Sequence, residues 1–237
     1  MLEFERCSLE QGSFRLEADM KIAAPGRVAV IGPSGGGKST LLASVGGFLA
    51  PVAGRVIWDG RDLGPVPPGE RPVTTLFQDQ NLFPHLTVFQ NVGLGLAPDL
   101  RLTNAARGAV EAALGRVGLQ GYGARRPSEL SGGQVSRVAL ARALVRARPV
   151  ICMDEPFSAL GPALKDEMLD LVAELLGEAL VLMVSHDPED ALRFAPHCVV
   201  VAEGRAEGPF GTGALLSDPP ESLKAYFGRR GWGTGAS

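Results

Sequence analysis

The chain has 237 residues, 45% apolar and 21% charged, ordinary proportions for one large domain or a domain carrying an insertion. Its 23 basic and 26 acidic residues leave a net charge of −3, which argues against a protein that works on nucleic-acid phosphates. Cys7, Cys152 and Cys198 lie far apart, form no CxxC pair and have no His at ligand spacing. Neither a disulfide framework nor a zinc site is therefore expected, and a reducing compartment fits. The N-terminus carries no apolar h-region, so no secretory signal is expected. The apolar run 179–184 is far short of the roughly 20 residues of a spanning helix. Work at a membrane would need spans from another chain.

In chain order, Leu2–Cys7 and Phe14–Ile22 alternate apolar with polar residues, as half-buried strands do. Arg27–Ile31 is a short apolar run that stops at Gly32, the signature of a buried parallel strand. A glycine-rich turn follows, then helical periodicity from Ser39 to Leu49, closed by Gly46-Gly47 and Pro51. Arg55–Asp59 and Pro72–Phe77 read as further strands. From Asp79 to about Ala147 the pattern turns helical, over Thr87–Leu96, Thr103–Val117 and Gln134–Ala147. Alternation then resumes: strand Val150–Met153, helix Pro162–Glu178, strand Ala179–Val184, helix Pro188–Phe194, strand Cys198–Ala202. A parallel sheet interrupted by a helical insertion is the economical reading. Past Arg205 too few residues remain for an independent domain.

Chemistry concentrates first in two places. Residues 32–39, Gly-Pro-Ser-Gly-Gly-Gly-Lys-Ser, match GxxxxGK[ST] between a buried strand and a helix, the context that the motif requires. Glycines let the loop amides turn inward toward phosphate oxygens, and the following helix aims its N-terminus at the same anion. Lys38 would reach the β- and γ-phosphates, and the Ser39 hydroxyl would take a Mg²⁺ position. Lysine occurs only four times in the chain, so a chance match is improbable. The strand Val150–Met153 ends in Asp154 and Glu155, at the sheet edge where open α/β folds bind ligands. Asp154 suits direct or outer work on Mg²⁺, and Glu155 suits orienting or deprotonating a water for attack on the γ-phosphate. Cys152, inside that strand, reads as a small core residue.

The run Leu130-Ser131-Gly132-Gly133-Gln134 resembles the signature motif of ABC transporter ATPases. Asp154-Glu155-Pro156, Val184-Ser185-His186-Asp187 and Leu76-Phe77-Gln78 are similar to that family's Walker B, switch-histidine and Q-loop segments. The resemblance spans about Val28 to Gly204, with five motifs in order. It implies an α/β P-loop NTPase (RecA-like) fold: a parallel sheet core, an N-terminal antiparallel β subdomain and an inserted α-helical subdomain. The whole chain is then one ATPase domain, with core at about 1–78 and 150–215, helical insertion at about 79–149, and a disordered tail at about 228–237.

The resemblance also implies site roles. ATP would be cradled by Gly32, Pro33, Ser34, Gly35, Gly36, Gly37, Lys38, Ser39 and Thr40. Ser131, Gly132, Gly133 and Gln134 would close on the γ-phosphate held by a second protomer of a homodimer. Ser39, Gln78 and Asp154 would serve Mg²⁺, while Glu155, His186 and Gln78 would act on the attacking water and γ-phosphate. His85 and His197 receive no role. Two departures stand out. The family's Ser-Ala-Leu-Asp reads Ser158-Ala159-Leu160-Gly161 here, which weakens expected communication across the dimer. Gln11 falls where an adenine-stacking aromatic is usual, with Phe14 close enough to substitute.

Free-standing ATPases of this kind serve importers with a separate transmembrane permease and a periplasmic substrate-binding protein, at the cytoplasmic face of the bacterial inner membrane. The stretch from Gln80 to Leu96 resembles that of thiamine importers. Its apolar residues Leu82, Phe83, Leu86, Val88 and Phe89 also suit ferric-iron or polyamine importers. A nucleotide-binding structural subunit with degenerate hydrolysis is the reading that Gly161 prompts.

Overall fold

The computed structural model describes residues 1–79, 81–220 and 223–224; the expected tail at 228–237 lies outside them. One ten-stranded sheet runs through the protein. Its strands are β1 (Leu2–Gln11), β2 (Phe14–Ile22), β3 (Gly26–Ile31), β4 (Ala53–Trp58), β5 (Arg61–Asp62), β6 (Val73–Leu76), β7 (Val150–Asp154), β8 (Leu180–Val184), β9 (His197–Ala202) and β10 (Arg205–Gly211). In space they order as β5-β4-β1-β2-β10-β9-β3-β8-β7-β6. Pairing is parallel across β9, β3, β8, β7 and β6, and antiparallel across β5, β4, β1 and β2. β10 joins the halves, antiparallel to β9 and parallel to β2 through Arg205↔Glu17 and Ala206↔Ala18.

The two halves differ because their sequences differ. β2 buries alternate residues, Leu16, Ala18, Met20 and Ile22, and leaves the intervening polar side chains to solvent. β7 and β8 are buried on both faces apart from the partly exposed Asp154, as sandwiched parallel strands must be. The helices are α1 (Lys38–Gly46), α2 (Val88–Gly93), α3 (Asn104–Arg116), α4 (Gly132–Arg146), α5 (Pro162–Leu175), α6 (Pro188–Phe194) and α7 (Thr212–Ser217). Leu41, Leu42 and Val45 of α1 sink into one core with Leu9, Leu16, Val30, Val56 and Leu182. Each leucine so buried stabilises by roughly 1.5–3 kcal/mol. α2 to α6 share a second core with Ile31, Ile151, Met153 and Met183, side chains of the same parallel strands. α1 is thus clamped between the parallel core and the antiparallel half.

Several expected spans shorten for local reasons. α1 ends at Gly46 because Gly47 takes a left-handed conformation (φ 85°) and donates its amide to Ala43 O. α5 stops at Leu175 rather than Glu178, and α2 is confined to Val88–Gly93. β10 and α7 were not anticipated as elements; a single turn separates β10 from β9, and two ladder pairs dock it on β2.

Candidate nucleotide site

Because β3, β8, β7 and β6 are parallel, their carboxyl ends share one sheet edge. That edge collects Gly32 after β3, His186 after β8, Asp154 and Glu155 at the end of β7, and Gln78 after β6. Sheet geometry therefore brings together motifs spread over some 150 positions.

The loop 32–37 needs its glycines. At Gly32 (φ 147°) a Cβ would lie 2.0 Å from Val201 O, and at Gly37 (φ 101°) it would strike the Phe14 ring at 2.6 Å. Gly37 caps α1 in a left-handed conformation, and no side chain satisfies the helix's first amides. α2 and α4 are different: Thr87–Gln90 and Ser131–Gln134 form reciprocal capping boxes. Unsatisfied amides at the start of a nine-residue helix attract an anion through hydrogen bonds and the helix dipole.

Lys38 is only 6% exposed. Its ammonium donates to Gly32 O at 2.8 Å and Pro33 O at 2.9 Å, folded back along the loop. Burial lowers its pKa, while the charges of Glu155 and Asp154 work against that shift. Burial likewise raises the Asp154 carboxyl above the usual range, as does Glu155; a hydrogen bond from Ser39 and the Lys38 charge pull it down. A hydroxyl and a carboxylate in contact are hard oxygen donors, the set that Mg²⁺ accepts. Among the described residues no cluster of three His, Cys, Asp or Glu could hold a metal.

Glu155 follows Asp154 with φ 46°, an uncommon conformation for a non-glycine residue that costs on the order of 1–3 kcal/mol. Its Oε2 lies 3.3 Å from His186 Nδ1. Gln78 sits exposed in the turn after β6, behind Phe77, whose ring meets Phe48 edge-on with centroids 5.6 Å apart. Thr40 faces Gln11, their side-chain oxygens 3.5 Å apart, and Phe14 roofs the loop at Gly37.

Ser131–Gln134 lie elsewhere. Ser131 and Gly132 are exposed at the start of α4, and Gly133 is pressed against Leu164 of α5. Among the described residues no hydrogen bond or ion pair connects this segment to the phosphate loop. Cys152 is fully buried, its thiol pushed up to about 12 by desolvation. Sequence reasoning passed over Lys165 and Asp190, which sit behind Glu155 and His186 in a small cavity. The only available signal was the rarity of lysine in a chain that otherwise uses arginine.

Residues 17–158, more than half of the sequence, match the ABC transporter family model, and the chain belongs to that family. Within it, the chain is 60% identical over 230 residues to the thiamine import ATP-binding protein ThiQ of Cereibacter sphaeroides, covering 96% of this chain and 100% of that one. It is 54% identical to the protein of the same name from Ruegeria sp., with the same coverage. To that of Salmonella paratyphi A it is 52% identical over 193 residues, 81% of this chain and 82% of the relative. Among solved structures it superposes on a dimeric ATP-binding cassette in a post-hydrolysis state bound to ADP and Pi. The TM-score is 0.76 and identity 28%, covering 90% of this chain and 99% of the cassette. The α/β P-loop fold expected from the motifs is the fold found.

Proposed function

We propose that this chain is the ATP-hydrolysing subunit of an importer that moves thiamine through a separate membrane permease. The full-length likeness to thiamine import subunits supports the cargo. The observation that carries the chemistry is the sheet edge where the uncapped N-terminus of α1, Lys38, the Ser39–Asp154 pair and the Glu155–His186 pair converge.

ATP is the substrate. Its phosphates take the α1 amides, and Lys38 leaves Gly32 O and Pro33 O for the β- and γ-oxygens. Ser39, Asp154 and Gln78 would hold a Mg²⁺ ion, which would supply charge neutralisation on those oxygens. Glu155, at a strained backbone position, takes the proton of the water aligned on the γ-phosphorus. His186 orients that carboxylate and donates to the γ-phosphate. Ser131, Gly132, Gly133 and Gln134 of a second copy cover the same phosphate, so the working unit is a homodimer.

No helix among the described residues is long and apolar enough to cross a membrane, so the permease supplies the spans. Its docking place is an open groove of about 580 Å³ between α2, α3 and the loop at 121–124. Phe89, Leu100 and Leu102 line it, with Arg107 stacked on Phe89. The complex sits peripherally on the cytoplasmic face of the inner membrane, and a periplasmic binding protein delivers cargo. Thiamine uptake by cells carrying Lys38→Ala tests the whole reading. Uptake is expected to fall to background; undiminished uptake rules out the cargo assignment.

A further inference from the structure

Glu155 and His186 belong to separate loops, and their 3.3 Å contact depends on what holds those loops together. Glu155 opens the segment that runs to Gly161 and into α5, with Ser158 donating both its amide and its hydroxyl to Glu155 O. His186 lies in the turn between β8 and α6.

One largely shielded ion pair spans the two. Lys165, in the first turn of α5, places Nζ 2.8 Å from Asp190 Oδ1 and 2.9 Å from Oδ2. Its side chain is 19% exposed and that of Asp190 13%. Lys165 N–H donates to Gly161 O at 2.9 Å, so the ammonium is anchored to the end of the Glu155 segment. On the other side, the Ser185 hydroxyl donates to Asp190 Oδ2 at 2.9 Å and accepts from Asp187 N–H at 3.1 Å. Asp190 therefore grips the residues flanking His186 while holding the lysine of the facing helix. Asp187 Oδ2, 3.7 Å from Nζ, reinforces the pair. Burial opposes the Lys165 charge, but Asp190 and Asp187 more than offset it and hold the ammonium above the ordinary lysine value. A cavity of about 50 Å³ separates this bridge from the reacting groups, bounded by Glu155, Lys165, Ser185, His186 and Asp190. Phe157, Ser158 and Leu169 complete its wall, and it has room for a water or two.

We infer that Lys165 is a positioning residue: through Asp190 and Ser185 it sets the placement of His186 against Glu155. The inference rests on the ATPase reading above and goes beyond it. It matters more here because residue 161, at the foot of the same helix, is a glycine and carries no carboxylate to tie the segment elsewhere. Residues that act through one another in this way give non-additive effects when removed.

Removing the lysine alone would leave the largely shielded Asp190 carboxylate without its cation, which can destabilise a protein. The decisive variant is therefore Lys165→Met with Asp190→Asn, which removes both charges of the close pair, keeps an acceptor for Ser185 and leaves only the more distant Asp187 carboxylate without that lysine. With the permease complex, its kcat is expected to fall about tenfold or more while KM for ATP stays within about twofold, as misplacement of a reacting group produces. Lys165→Arg should restore most of the lost rate. Imidazole NMR of the isolated subunit gives a readout that needs no turnover. The His186 resonances, identified with His186→Gln, should shift in the double variant and return in Lys165→Arg, while His85 and His197 stay put. Unchanged His186 resonances, or a double variant with the parent kcat, would overturn the inference, as would kcat and KM declining together with the melting temperature. A wild-type complex that releases no phosphate would instead sink the ATPase reading, and the NMR comparison would still decide this one.

Discussion

Asp154 shows how a residue can be kept against the interest of stability. Burial raises its pKa in the folded protein, with Glu155 adding to the effect. An acid whose folded pKa lies above its unfolded value binds more protons when folded, so stability falls as pH rises through the interval between the two. That interval opens near the unperturbed value of 3.8, and the penalty grows as pH rises above it. Asp154→Asn removes the charge at constant volume. The nucleotide-free variant should melt higher than the parent at pH 7, and its advantage should shrink as the pH approaches the lower end of the interval. Thermal scans across pH check the sign; with Mg²⁺ and ATP the parent should gain stability and the variant should not. Equal melting temperatures at pH 7 would mean that the carboxylate carries no cost. Groups such as this were legible beforehand because they lie in short contiguous motifs. Lys165 and Asp190 were not, since 25 positions separate them and only the packing of α5 on α6 makes them a pair.

At the scale of elements, the same helical glycine can be essential or idle. A Cβ at Gly133 would sit 2.5 Å from Leu164 Cδ2 and 3.2 Å from its Cγ, so α4 and α5 approach only because that position is bare. At Gly108, within α3, a Cβ would meet nothing within 4 Å. Replacing a mid-helix glycine by alanine gains roughly 0.5–1 kcal/mol, whereas forcing a methyl into a packed contact costs roughly 1–3. Gly108→Ala should therefore raise the melting temperature by a few degrees, about what 1 kcal/mol yields for a chain of this size. Gly133→Ala should lower it, and should also displace the start of α4. Calorimetry on the two variants decides; a rise in both would mean that Leu164 yields freely. Sequence periodicity located these helices but not their contact. It also overran helix ends, as at Gly47, where a left-handed residue stops a pattern that is still apolar. The position of β10 was invisible because a two-pair ladder to β2 leaves no periodic trace.

For the whole molecule, the question is why one chain leaves half a site facing outward. The phosphate loop offers free amides on one side of the protomer, while Ser131 and Gly132 stand exposed at the head of α4 with no bond to it. Under the function proposed above, a two-fold axis would resolve this, since an isologous dimer would bring each exposed segment to the other's phosphates and bury both copies alike. In Glu155→Gln, which removes the base proposed above, ATP should accumulate dimers visible by sedimentation, and ADP should not. Gly132→Asp in that background separates the fold from the interface. A Cβ there meets only Leu160, at an ordinary 3.7 Å. A carboxylate in the first turn stabilises a helix by roughly 0.3–1 kcal/mol, so α4 should stay intact. The same carboxylate would confront the γ-phosphate of the opposite protomer, two anions in one small space, and like charges so placed strongly disfavour closure. The double variant should thus bind ATP as a monomer with near-parental affinity, melt no lower, and fail to dimerise. Dimers that persisted at the parental level would show that α4 faces something other than the partner's phosphate.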